Sequence, residues 1–206
     1  MSSSPLSSKG SATREKVLSQ ARKMLIERGY GKLVMREVAE SCGMKLGNLQ
    51  YYFPSHDVLV KAIIEAETQQ DLVVASHVLQ EYADPEKILR GVVKELLMRW
   101  RGDSGIVFST MYLLVLHDKT YRTIYNDTYA RYYNLLEGVI ERVSPKQTTE
   151  EYALRARLLC ALIDGVAYQT NVGRKADFQS RVEDQAYQIA IGGGANHDAK
   201  KIDYSS

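Results

Sequence analysis

Residues 35–53 read MREVAESCGMKLGNLQYYF, and this stretch decides the fold. It has the pattern of two short helices joined by a tight turn. Val38, Ala39 and Cys42 fall on one face of the first helix. Gly43 takes positive φ at little cost, so it ends that helix and begins a sharp turn. Met44 follows as an apolar plug. The second helix is expected over about Lys45–Tyr52, with Leu49 and Phe53 four apart and facing back onto the first. A helix of barely two turns is not stable alone, so its neighbours must hold it. What it leaves pointing outward is Lys45, Leu46, Gly47, Asn48, Gln50 and Tyr51. A cation, two amides, a phenol, a methyl-rich tip and a glycine open to close backbone approach are the groups that read base edges and grip phosphate. The reading is a helix-turn-helix whose second helix is offered to a major groove.

Around this stretch, residues Ala12 to Leu59 resemble the TetR family of transcriptional regulators. An entry helix is followed by GYGKLVMREVAESCGMKLGNLQYYFPSHDVL. Gly29, Tyr30, Val38, Ala39, Gly43, Gly47, Leu49, Tyr51, Phe53, Asp57 and Leu59 stand where the family pattern places them. The chain departs from it at three points. Leu33 and Val34 stand where the family usually has a Thr or Ser that grips phosphate. Gln50 replaces a usual Tyr, and His56 a usual Lys. The resemblance implies an all-α fold of about nine helices. An N-terminal three-helix head carries the helix-turn-helix, and a C-terminal bundle binds ligand and dimerises.

The chain has 206 residues, 45% of them hydrophobic, enough to bury a sizeable core. Only 4 prolines interrupt it, which favours long helices. No uncharged apolar run is long enough to span a membrane, and the first residues, MSSSPLSSKGSATR, lack the apolar centre of a secretory signal. Cys42 and Cys160 fall on expected buried faces, in keeping with reduced thiols and a cytoplasmic setting. Charge is uneven. Residues 1–61 hold 10 Lys and Arg against 5 Asp and Glu, whereas the rest holds 17 against 20. A basic N-terminal quarter suits a DNA-binding head, although surface scatter gives the same imbalance.

The expected organisation is a disordered arm (1–11), a DNA-binding domain (12–65), a ligand-binding and dimerisation domain (66–192) and a flexible tail (193–206). Lys9 and Arg14 either trail along a phosphate backbone or minor groove or belong to a frayed end. The entry helix, about Ala12–Arg28, has Val17, Ala21, Met24 and Leu25 as its core stripe. Ser55 caps a long fourth helix, about His56–Tyr82, that runs from head to body as a rod. Asp84-Pro85 opens the fifth helix. The sixth, about Ser104–His117, is apolar nearly all round and is expected to be central. A seventh runs over about Lys119–Val143, an eighth over Thr149–Val172 and a ninth over Asp177–Ile191.

The eighth helix is apolar on opposite sides. Leu159, Ile163 and Val166 lie on one, and Leu154, Leu158, Ala161 and Leu162 on the other. Spacing alone allows a fully buried helix. The segment LLCALIDGVAYQ also resembles the C-terminal region of one TetR branch, where the last two helices form a four-helix dimer interface. That resemblance implies a homodimer through Leu158, Ala161, Leu162, Gly165, Phe178, Val182, Ala186 and Ile189. A two-fold protein reads a palindrome, with its reading helices about one turn of duplex, roughly 34–36 Å, apart.

In the head, Arg36 and Lys45 are expected to meet phosphates or guanine edges. Asn48 and Gln50 suit adenine, and Leu46 a thymine methyl. Gly47 allows close approach, and Tyr51 and Tyr52 offer hydroxyls to phosphate, with Tyr52 turned partly inward. His56 offers a phosphate bond or serves only at the helix start. In the body, 14 Tyr against 3 Phe is an unusual supply of hydroxyls for a core. Trp100, Phe108, Met111, Tyr112, Tyr125, Tyr129, Tyr132, Tyr133 and Tyr168 are candidates to line an apolar pocket, with Asp164 and Asn171 to orient a ligand. Each also fits a plain core or interface role. No metal-ligand spacing, phosphate loop, nucleophile motif or cofactor motif is present, so no enzyme activity is expected. The resemblance to the TetR family implies a repressor that leaves double-stranded operator DNA when a small apolar or aromatic effector binds. The alternative is a related DNA-binding protein with no small-molecule effector, controlled by a protein partner.

Overall fold

The computed structural model describes residues 8–169 and 178–193, and every described element is helical. The order is α1 (Ser8–Arg28), a 3-10 turn (Tyr30–Lys32), α2 (Met35–Ser41), α3 (Leu46–Tyr52), α4 (His56–Glu81), α5 (Pro85–Trp100), α6 (Asp103–His117), a second 3-10 turn (Lys119–Tyr121), α7 (Arg122–Val143), α8 (Thr149–Tyr168) and α9 (Phe178–Ile191). The all-α expectation holds. The helix starts follow from local chemistry. Asp84 Oδ1 accepts from the amides of Glu86 (2.9 Å) and Lys87 (3.2 Å) ahead of Pro85. The Ser55 hydroxyl accepts from Val58 N–H at 3.3 Å, and the Thr148 hydroxyl from Glu151 N–H at 3.2 Å.

The first helix begins at Ser8, so residues 8–11 of the expected disordered arm are helical; residues 1–7 lie outside the described part. Val17, Ala21, Met24 and Leu25 are buried, and once that stripe is anchored each added residue extends the helix at small cost. Arg14 does not trail from a frayed end: its guanidinium sits 4.9 Å over the Phe53 ring. Of the expected tail, Gly193 is described as a turn and the rest falls outside the described residues.

The helices group into two compact units. Among the described residues, one comprises those up to Val73 together with Arg99–Tyr129; the other comprises Val74–Met98 and those from Ala130 onward. The boundaries along the chain fall within α4, α5 and α7. In the first unit α1 packs on α2 and on α6. The sequence reading grouped α6 with the C-terminal residues, yet its packing on α1 puts it with the N-terminal helices. Nor is α6 buried all round. Val107, Phe108, Met111 and Leu114 are buried, whereas Ile106, Tyr112, Leu113 and Leu116 are exposed. An apolar circumference states what a helix tolerates, and only one of its faces finds neighbours within this chain.

In the second unit α8 and α9 pack on each other. Ala156, Leu159, Cys160, Ile163 and Val166 form the inner face of α8. Buried Arg155 donates to Ala190 O (2.9 Å) and pairs with Glu151 (2.7 Å), so its charge is satisfied at the end of α9. Burial pushes the Cys160 thiol far above its ordinary pKa, with Asp164 adding to the effect. That cysteine is an inert packing group, as the sequence suggested.

Candidate nucleic-acid interface

The helix-turn-helix forms as its sequence dictates. Cys42 closes α2, and Gly43 follows at φ 71°. Gly43 N–H donates to Glu40 O (2.9 Å) and Met44 N–H to Ala39 O (3.0 Å). This pair of bonds is the Schellman closure, and it needs the left-handed residue that glycine supplies. Lys16 of α1 donates to Cys42 O at 3.0 Å, placing a cation at the carbonyl end of α2. Val38, Ala39, Leu49 and Phe53 are buried at 0–1% exposure and hold the two short helices together. At the start of α2, Val34 has the extended backbone of a capping residue (φ −104°, ψ 124°) but offers no side-chain hydrogen bond.

The opposite face of α3 is open. Lys45, Gly47, Asn48, Gln50 and Tyr51 are exposed, Tyr51 at 73%, and Leu46 and Tyr52 are half-buried. Tyr51 and Tyr52 meet edge to face at 5.1 Å, which orients the two hydroxyl-bearing rings. A Cβ at Gly47 would meet nothing of the chain within 4 Å, so the backbone there is free for close approach by another molecule. Arg36 is exposed on α2. Among the described residues neither Arg36 nor Lys45 has an ion-pair partner, whereas Arg28 is held by Glu37 at 3.0 Å. His56 is half-buried at the start of α4, edge-on to Tyr30 at 5.2 Å and 3.8 Å from Asp57.

Sequence reasoning missed Tyr121. Its hydroxyl donates to Asp57 Oδ1 at 2.8 Å, and Lys61 lies over its ring at 5.1 Å. Burial, and then the bond to Asp57, raise its pKa well above the ordinary phenol range, so it acts as a donor that pins the first turn of α4. An unusual tyrosine just after a helix end was the available signal. Also missed were Glu67 and Asp71, buried at 4% and 0%. They continue the buried row Val60, Ile63, Ile64 along α4, and reading that row through to Thr68 and Asp71 would have exposed two acids in a core stripe.

The aromatic set divides. Trp100, Phe108 and Met111 are buried in the first unit, with the Trp100 and Phe108 rings 5.2 Å apart. Tyr125 and Tyr129, also in that unit, pair at 4.7 Å. Tyr112 is exposed there. In the second unit Tyr132 is buried, Tyr133 carries Arg157 over its ring at 5.0 Å, Asp164 is half-buried and Tyr168 is exposed. Asn171 lies outside the described residues. An open cleft of about 370 Å³ lies over Leu18, Arg22, Ile63, Glu67 and Arg99, and another of about 490 Å³ runs along α8 and α9; none of the aromatic candidates lines either. Ala161, Leu162, Gly165, Phe178 and Val182 line the second cleft, beside exposed Leu154 and Leu158. Val182 and Ala186 are themselves buried, and Ile189 half-buried, because α9 turns that stripe onto α8. Among the described residues no group of three or more His, Cys, Asp or Glu is placed to hold a metal ion, and no described helix is long and apolar enough to cross a membrane.

Comparison with known proteins agrees with this geometry. Residues 17–63 match the family described as bacterial regulatory proteins, tetR family. An uncharacterized helix-turn-helix-type transcriptional regulator in the dhlA 5′ region of Xanthobacter autotrophicus is 28% identical over 76% of this chain and 79% of its own. A TetR transcription regulator from Haloarcula marismortui superposes with a TM-score of 0.72 at 19% identity, covering 89% of this chain and 98% of that one. A putative transcriptional regulator from Saccharomonospora viridis, solved in complex with choline, gives 0.69 at 20% identity, covering 87% and 95%. The Schellman-closed hairpin, the exposed face of α3 and these likenesses agree: residues 17–63 match the tetR family over the helix-turn-helix, and the chain as a whole is similar to TetR-type transcriptional regulators.

Proposed function

We propose that the chain acts as a homodimeric repressor on a palindromic operator in the cytoplasm and is released by a small organic effector. One observation carries the reading. The inner face of α3 is used in packing through Leu49, while its outer face leaves Lys45, Asn48, Gln50 and Tyr51 exposed to solvent. Asn48 and Gln50 read base edges, Leu46 meets a thymine methyl, and Gly47 lets the backbone close in. Arg36, Lys45, Tyr51, Tyr52 and His56 hold phosphates. The two copies meet through α8 and α9, for which the exposed Leu154 and Leu158 beside Ala161 and Gly165 provide an apolar, small-residue surface. Residues 12–65 then serve as the DNA-binding part and 66–192 as the effector and dimer part. An effector must favour the head spacing that does not fit DNA, since only differential affinity shifts the balance. The choline held by the Saccharomonospora viridis relative in fold supports a search among small organic molecules.

A second reading has its own observation. Ile106, Leu113 and Leu116 form an exposed apolar row on α6, which favours control by a protein partner. The test is fluorescence anisotropy on duplexes from the region upstream of the gene, with and without a panel of small apolar and aromatic compounds. Saturable binding relieved by a compound supports the effector reading. Binding that no compound relieves, with no thermal shift, supports the partner reading. No binding to any duplex overturns both.

A further inference from the structure

We infer that Arg22, Glu67, Asp71 and Arg99 form a latch that positions the DNA-reading helices. The inference rests on the DNA-binding reading above but names residues remote from the contact face. Glu67 and Asp71 lie one turn apart on the buried face of α4, where a lone carboxylate would be costly. Both are fully engaged. Glu67 accepts two bonds from Arg22 of α1, Nε at 2.6 Å and Nη2 at 3.3 Å, in the fork geometry that guanidinium favours. It accepts a third from Arg99 Nη2 at 3.1 Å and a fourth from the Ser104 hydroxyl at 3.0 Å. Asp71 takes Arg99 Nε on one oxygen and the Trp100 indole N–H on the other, the latter at 2.5 Å. Arg22 also reaches Asp103 at 3.5 Å.

Four segments meet in this network: α1, α4, the end of α5 and the start of α6. Their convergence depends on Gly105. A Cβ there would lie 1.9 Å from Trp100 O, so only glycine lets α6 begin tightly enough for Arg99, Trp100 and Ser104 to arrive together. Two features make this a positioning device beyond its part in packing. First, such a network resists partial opening, because removing one partner leaves a buried charge; it favours one arrangement over a continuum. Second, α1 is the helix on which α2 rests, and Lys16 of α1 closes the end of α2. Fixing α1 through Arg22 therefore fixes the base from which α3 projects. The 370 Å³ cleft opens over Arg22, Glu67 and Arg99, so the network is not sealed from solution.

Trp100 is the chain's single tryptophan, and its indole belongs to the latch, so its fluorescence reports the state of the network. The full-length protein is tested as wild type and as Glu67→Gln, which keeps the shape and removes the charge. Operator affinity, its salt dependence, melting temperature and acrylamide quenching of Trp100 are read in parallel. Reciprocity requires that if the latch favours DNA binding, DNA must tighten the latch. The wild type is expected to show clearly reduced quenching when operator is added. Glu67→Gln is expected to bind operator about tenfold more weakly, to lose that protection, and to keep the wild-type salt slope because no phosphate contact is removed. A folded Glu67→Gln protein with wild-type affinity overturns the inference, even if it melts earlier. So does an affinity loss with a shallower salt slope, or a Trp100 signal blind to operator. If Glu67→Gln does not fold, Arg22→Lys, which keeps the charge but loses the fork, carries the same readouts. A wild-type protein that binds no duplex defeats the DNA reading itself, a result distinct from all of these.

Discussion

Lys45→Ala gives the sharpest electrostatic test of the interface. Lys45 precedes α3, is exposed, and has no ion-pair partner among the described residues, so its removal disturbs nothing inside the chain. Arg36 is the other such cation on the reading surface. Two heads on one operator then place four free cations on phosphates, and each neutralised phosphate adds about 0.9 to the log–log dependence of affinity on salt. The wild-type slope from these groups is about −3.6, which is a loss of about 150-fold between 50 and 200 mM salt. Lys45→Ala removes two of the four contacts, leaving a slope of about −1.8 and a loss of about 12-fold over the same range. The assay is anisotropy of a labelled operator, selected from random duplexes, at five or more salt concentrations. A slope unchanged by the substitution would show that Lys45 does not touch phosphate, and the orientation assigned to α3 would fail with it.

Three further substitutions probe separate links. Val34 has the backbone of a capping residue without the hydroxyl, so Val34→Thr is expected to stabilise by about 1 kcal/mol. That appears as a rise of roughly 2–4 °C in melting temperature; no rise refutes the capping argument. Gly43→Ala meets no atom within 4 Å, so its whole cost is the left-handed backbone, about 1–2 kcal/mol in denaturant melts. A neutral result would mean the turn relaxes by another route. Leu158→Glu changes an exposed residue of α8, so helix content should stay as it is while sedimentation shifts from dimer toward monomer; an unchanged dimer would move the interface elsewhere.

The helix-turn-helix was legible in the sequence because its demands are local. A positive-φ residue at Gly43, apolar side chains four apart at Leu49 and Phe53, and polar residues between them leave little alternative. Helix starts at Asp84 and Ser55 were legible for the same reason, each a side chain acting within three residues of itself. What escaped was non-local. Glu67 looks like a surface acid until Arg22, 45 residues earlier, and Arg99, 32 residues later, are known to face it, and Asp71 until Arg99, 28 residues later, is known to face it. Helix α6 read as a central helix because composition cannot say how many neighbours a face will find. Tyrosines pooled by type fell into different environments, since burial depends on helix rotation: Tyr132 is buried and Tyr112 exposed. Along α9, Val182 and Ala186 were read as facing a second copy, but the same apolar stripe serves to pack on α8.

The claim on which all of this stands is that the outer face of α3 reads base sequence. Selection of binding sites from a random duplex library by the wild type, Asn48→Ala and Gln50→Ala measures it directly. Each substitution should relax the preference at its own one or two positions in each half-site, costing about 1–3 kcal/mol of discrimination there, with the rest of the motif and the half-site spacing preserved. The same motif recovered at equal strength from all three proteins would contradict the account.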